Sequence, residues 1–261
     1  MMRLLIVGGG LFGSLAAAYA RSKGVEVLLF DAGLPGAASP AAAGLFKEAW
    51  VGRKLRDHYH AAVPLLDRLF GLRPVSLQHD NGELEAFQFI PPSAILESSP
   101  IRAQVTAVGD GFVVADARRF EGGVYVAAGV WCEQFFPGLG VFGKTGSAFL
   151  FAGEQPGRIR PIAHGRQALS FVRDPGSTYF SDGTAEPTYT ERHEQESLKR
   201  AQGMGLSAPL RQLRGIRPYA PGGPLFRKMG DRLWVGTGGR KLGTLLGASF
   251  ARRLVEDELR L

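Results

Sequence analysis

Cysteine is all but missing from this 261-residue chain. Cys132 stands alone, so no internal disulfide can form, which fits a reducing compartment. Trp131 and Phe135 give it an apolar setting, and a buried structural thiol is the expected role. Long apolar runs are scarce too. Beyond the N-terminus no stretch is long enough to span a bilayer, which argues against a membrane-spanning helix. The 31 basic residues exceed the 24 acidic ones, for a net charge of +7, yet no long basic run appears. They are scattered, as in Arg53, Lys54 and Arg56, and the aromatics form no RNA-binding signature. A generally basic surface is expected, with some of that charge facing an anionic small molecule. Internal repeats and low-complexity tracts are absent, and no catalytic dyad stands out.

Glycine, by contrast, is plentiful at 36 residues. The chain opens MMRLLIVGGGLFGSLAAAYARSKG, an arginine followed by small apolar residues, which is also how export signals begin. The glycines argue against export, because they divide the run into a short strand (4–7) and a helix (14–22). Their spacing is Gly8-x-Gly10-x-x-Gly13. In a dinucleotide fold the first glycine makes a tight turn and the second lets backbone approach a pyrophosphate. The third lets the helix pack close to the strand. The helix ends at Gly24, a second apolar strand covers 25–30, and it stops at Asp31, near where a carboxylate meets ribose hydroxyls. A glycine-rich turn without function is the alternative. The opening is read as retained and the chain as cytoplasmic.

After Asp31 the loop GLPGAASPAAAGLF places Ser39 before a run of alanines, small side chains that let a helix start lie against phosphate oxygens. Residues 47–72 carry apolar positions at helical spacing and read as a surface helix pair bent or divided by Pro64. His58 and His60 fall on different faces of any helix, so no metal site is expected. Residues 101–131 read as strand, a turn at Gly109-Asp110-Gly111, strand, turn, and a final apolar strand over 124–128.

That last strand, ending Ala127-Ala128-Gly129 before Trp131, resembles the second nucleotide-contacting strand of FAD enzymes of the D-amino-acid oxidase, glycine oxidase and sarcosine oxidase group. The segments YFSDGTAEP (179–187), RGIRPYAPGGPLF (214–226) and LWVGTGGRKLGTLLGASFARRLV (233–255) resemble later blocks of the same group, in the same order. The resemblance implies an α/β fold: a Rossmann-like FAD-binding domain of glutathione-reductase type, interleaved with a small, reduced antiparallel substrate domain. It suggests 1–50, 96–140 and 211–261 for the first and 51–95 and 141–210 for the second. The chain is shorter than typical members, with material missing between 71 and 101 and around 145–165, so the cofactor is implied more firmly than the substrate.

For FAD the resemblance implies Gly8, Gly10, Leu11, Phe12 and Gly13 at the pyrophosphate, and Asp31 with Ala32 at the adenosine ribose. Ser39, Ala43 and Gly44 resemble the second phosphate element, and Val105 the backbone position that holds adenine. Ala128, Gly129, Trp131 and Gly215 complete the cofactor wall. Gly239, Arg240, Lys241, Leu242, Gly243 and Thr244 form the loop at the flavin's pyrimidine edge. There, helix-end amides and a cation stabilise charge near N1 and O2. Relatives that attach flavin covalently use a histidine or a cysteine in loops that here read SPAAAG and TGGRKLG, so the flavin is expected to be dissociable. Arg217 is the candidate partner of a substrate carboxylate, with an interdomain salt bridge as its alternative. Lys241 could touch flavin or substrate, with Arg240 in its place if the register slips; Tyr219 and His164 are weaker candidates. The implied reaction is oxidation of an amine or amino acid to an imine, with oxygen, quinone or another protein as acceptor. Two other readings stand beside it: an FAD-binding subunit completed by a partner chain, and an FAD domain acting on a modified nucleoside in RNA.

Overall fold

The computed structural model describes residues 3–162 and 166–261, so His164 lies outside the described residues. A five-stranded sheet carries, in order, Leu225–Gly230, Leu233–Thr237, Gly123–Val126, Arg3–Val7 and Glu26–Phe30. The last four run parallel and Leu225–Gly230 returns antiparallel along the edge. Parallel strands are covered on both faces, and alternate side chains here feed two cores. Leu4 and Ile6 join the helices on one face, whereas Leu5 and Val7 join a three-stranded meander (Val105–Gly109, Phe112–Ala115, Arg118–Glu121) on the other. The expected Gly109-Asp110-Gly111 turn joins the first two strands of that meander.

On the helical face Leu11–Ser22 lies against Gly243–Arg252, and small residues set the separation: a Cβ on Gly247 would stand 2.8 Å from Leu15 Cδ1. The first helix starts three residues before the expected 14. Its opening is capped from a distance, because the Leu11 amide donates to Ser39 Oγ at 2.9 Å. The expected helix pair is instead two single 3₁₀ turns followed by one continuous helix, Arg56–Phe70, with Pro64 inside it. Proline forgoes the bond to the His60 carbonyl, but Ala62, Leu65 and Leu66 are buried against the same core as the C-terminal helix, and that burial keeps the helix whole. His58 Nδ1 is 2.8 Å from Ser249 Oγ, and no group of metal-ligating side chains occurs among the described residues.

The second sheet has eight strands, in the order Pro209–Tyr219, Phe142–Ala152, Ser177–Ser181, Arg166–Asp174, Arg158–Ile162, Arg73–Gln78, Leu84–Phe89, Leu45–Phe46. All neighbours are antiparallel except Arg158–Ile162 and Arg73–Gln78, which meet parallel. Phe149, Phe151 and Phe180 bury one face of this sheet with Ala201 and Met204, from the Glu191–Gly203 helix and its C-terminal end. Residues 45–46 pair at one edge of this sheet, and Pro209–Tyr219 forms the other edge. The two sheets are stitched where the Ile216 amide donates to the Gly36 carbonyl at 2.8 Å. Among the described residues no helix is long and apolar enough to cross a membrane.

Leu15 is fully buried where the two helices meet. Leu15→Ala is expected to cost about 3 kcal/mol, within the range of buried leucine truncations. Chemical denaturation should show the loss; a cost under about 1 kcal/mol would mean that the helix pair can collapse around the gap.

Candidate functional site

A cavity of about 830 Å³ opens where the carboxyl ends of the parallel strands meet one face of the eight-stranded sheet. Ligands of open α/β sheets bind at this end. The glycine turn forms its floor. Gly8 has φ +104, and a Cβ there would sit 2.6 Å from the Ala127 carbonyl oxygen, so only glycine fits. Gly10, Leu11 and Phe12 line the cavity at the N-terminus of the first helix, where amides lack intrahelical acceptors. Gly13 does not line it. A Cβ there would overlap the Gly8 carbonyl oxygen, so Gly13 is the close contact between helix and turn expected of the third glycine.

Asp31 sits at the end of Glu26–Phe30 and lines the cavity half-buried. One carboxylate oxygen accepts from the Gly9 amide at 2.5 Å; the other accepts from the Gly33 amide at 2.7 Å and from Arg102 at 3.0 Å. It therefore braces the glycine turn as well as facing the cavity. Ala32, Ala43, Gly44, Val105, Ala128, Gly129 and Trp131 line the same space. Gly129 has φ +60 and open space where a Cβ would point, so backbone is bared to the cavity there. Ser39 lies at the first helix, its hydroxyl engaged by Leu11 and 2.9 Å from where a Cβ on Gly10 would be.

At the other end Gly239 to Thr244 line the wall, leading into the Gly243–Arg252 helix, whose first amides face the cavity. Gly239 cannot carry a side chain without meeting the Phe12 ring at 2.7 Å. Gly215, Arg217 and Tyr219 come from Pro209–Tyr219 of the second sheet. Arg217 Nη1 donates to the Gly183 carbonyl at 3.2 Å. Burial, helped by the nearby Arg217 and Arg166 charges and opposed by Asp182, holds the Lys241 ammonium below the usual lysine range. Tyr219 stacks on Phe142 and has the Arg240 guanidinium 5.2 Å from its ring, so it packs as well as lining the cavity.

Sequence reasoning missed Arg166, Gln167, Tyr179 and Ser181 on this wall. Arg166 opens a strand that carries no motif, and only the pairing of the second sheet brings it to the cavity. Histidine and cysteine are absent from the lining among the described residues. Cys132 is buried nearby, its thiol pushed up to about 12 by burial, in line with a structural role.

Residues 3–88 match the FAD dependent oxidoreductase (DAO) family. The matched segment contains the glycine turn, Asp31, Ser39 and Gly44, which the cavity brings together. No protein of curated function matches the sequence. Similar folds occur in many solved structures, several of them of oxidases and dehydrogenases. Iminodiacetate oxidase from Chelativorans sp. BNC1 has TM-score 0.77 and 17% identity over 99% of this chain and 95% of that one. Glycine oxidase from Geobacillus kaustophilus has TM-score 0.74 and 16% identity, over 100% and 95%. L-proline dehydrogenase from P. horikoshii has TM-score 0.73 and 12% identity, over 98% and 92%. At such identities the likeness establishes the shared fold.

Asp31→Ala removes a charged acceptor from two backbone amides and from Arg102. Hydrogen bonds to charged groups are worth about 1.5–3 kcal/mol, so a loss of about 2 kcal/mol in stability is expected for the protein stripped of small molecules. A thermal midpoint unchanged by the substitution would show that Asp31 does not brace the turn.

Proposed function

We propose that this chain binds FAD without a covalent link and oxidises an amine or amino acid to the imine. The observation that carries the reading is a single cavity whose wall joins a glycine turn, two helix N-termini and a cluster of cations. The fit is supported by the backbone itself: Gly129 leaves open space where a side chain would stand at the cavity wall, while Gly8 and Gly239 let the turns that carry them close against Ala127 and the Phe12 ring. Gly8, Gly10, Leu11 and Phe12 would hold the pyrophosphate, with Ser39 fixing the helix start. Asp31 would offer the ribose what capacity its carboxylate keeps beyond Gly9 and Gly33, and Ala103, Gln104 and Val105 would wall the adenine. Gly239 to Thr244, with the helix end behind them, would face the pyrimidine edge.

The bound flavin supplies the electron acceptor for the substrate's C–H bond. What the chain contributes is alignment and charge. Arg217 presents a permanently charged planar fork to a substrate carboxylate, the role Arg fills and Lys does not. Tyr219 and Phe142 stack beside it, and Arg217 is itself fixed by the Gly183 carbonyl. Lys241, its ammonium made less favourable by burial and by its cationic neighbours, lies where it can hold charge at the flavin edge or the substrate. A strong general base is unnecessary when the amine arrives deprotonated, and the lining holds no histidine and one carboxylate, that of Asp31, among the described residues.

Purified protein is expected to be yellow and to release free FAD on acid denaturation, because among the described residues the cavity offers no histidine or cysteine for attachment. Colour remaining with the precipitate would contradict the non-covalent reading, and colourless protein that ignores added FAD would remove the whole assignment. Arg217→Lys should raise KM for carboxylated substrates about tenfold or more while bound FAD and its spectrum stay nearly unaltered. If the substitution instead empties the protein of flavin, Arg217 is a structural tie between the sheets.

A further inference from the structure

Charge along the cavity is very uneven. Its lining includes Arg166, Arg217, Arg240 and Lys241 at one end, and its one lining acid among the described residues, Asp31, lies at the other end in the grip of Gly9, Gly33 and Arg102. Three of the four cations converge on one short turn. Arg217 donates to the Gly183 carbonyl, Arg166 Nη1 donates to Thr184 Oγ1 at 3.1 Å, and Lys241 Nζ lies 3.0 Å from where a Cβ on Gly183 would stand. The carboxylate within that turn is already committed. Asp182 is fully buried, takes Arg200 at 2.5 Å on one oxygen and the Thr184 amide at 2.9 Å on the other.

Two of the converging groups are guanidiniums, which do not shed their protons in proteins. A substrate carboxylate on Arg217 answers one of them. Negative charge at the flavin edge has the lysine and a helix end to face it. Arg166 is left over: it lines the cavity, and among the described residues its buried Nε has no hydrogen-bond partner. Burying a guanidinium N–H without an acceptor is costly, and placing it beside a second guanidinium adds repulsion, unless an anion completes the site. Burial first, and then both arginines, disfavour the Lys241 ammonium, so the third cation meets the same crowding.

We propose that the substrate is an amino dicarboxylate, one carboxylate seated on Arg217 and a second on Arg166. This rests on the flavin-dependent amine oxidation proposed above and narrows its substrate class. Arg166 then acts as a specificity residue: it separates substrates by their second charge and leaves the reacting amine alone.

The test uses the protein as purified with its flavin and acids that carry no amine, so that binding is read without turnover. Malonate, succinate and glutarate are titrated calorimetrically beside propionate, butyrate and valerate, their counterparts with one carboxylate replaced by methyl. At least one dicarboxylate should bind about tenfold more tightly than its partner, the factor expected for one hydrogen bond to a charged group. Arg166→Gln should erase that preference while leaving monocarboxylate affinity unchanged, and Arg166→Lys should restore part of it. Flavin content and thermal midpoint confirm that both variants fold. Equal binding of every pair by yellow wild-type protein overturns this proposal and leaves the flavin assignment standing; a preference that persists in Arg166→Gln overturns it as well. Colourless protein defeats the flavin assignment instead.

Discussion

The first helix comes so close to the turn at Gly13, and the turn so close to Ala127 at Gly8, that neither glycine has room for a methyl group, since each Cβ would run into a backbone carbonyl. The rest of the cavity depends on that approach. It sets the first helix directly behind the turn, so the helix opens onto the cavity through Gly10, Leu11 and Phe12. Through Phe12 it also fixes the distance to Gly239, and through Leu15 to Gly247, so that the C-terminal helix presents its own first turn to the same space. Asp31 and Ser39 then hold the turn from the far side, each by accepting a backbone amide.

The glycine turn and the strands around it were legible because their signals are local. Gly8, Gly10, Gly13 and Asp31 sit within one strand–helix–strand unit, and the backbone requirements of such a turn leave few residue types free. The Asp110 turn and the strand before Gly129 were visible for the same reason, as alternating apolar residues bounded by glycine. Gly13 makes the close helix-to-turn contact that the third glycine of this spacing provides.

What stayed hidden is the part assembled over long sequence separations. Arg166 and Arg217 belong to different strands of the second sheet, and their meeting at Gly183 follows from strand order, which no short motif encodes. The start of the first helix was misread by three residues since its cap, Ser39, lies 28 positions away. Pro64 argued for a broken helix, and the burial of Ala62, Leu65 and Leu66 overrode it.

The division of the wall between two sheets has a consequence for how such a chain can change over generations. The turn at Gly8 and the brace at Asp31 belong to the parallel sheet, whereas Arg166 and Arg217 ride on strands of the other. Substitutions at well-separated positions without shared partners combine nearly additively. A lineage can therefore redraft the charge on one wall, arginine to neutral and back, while the other wall keeps its hold on a dinucleotide, so new chemistries can be sampled without first losing the old foothold.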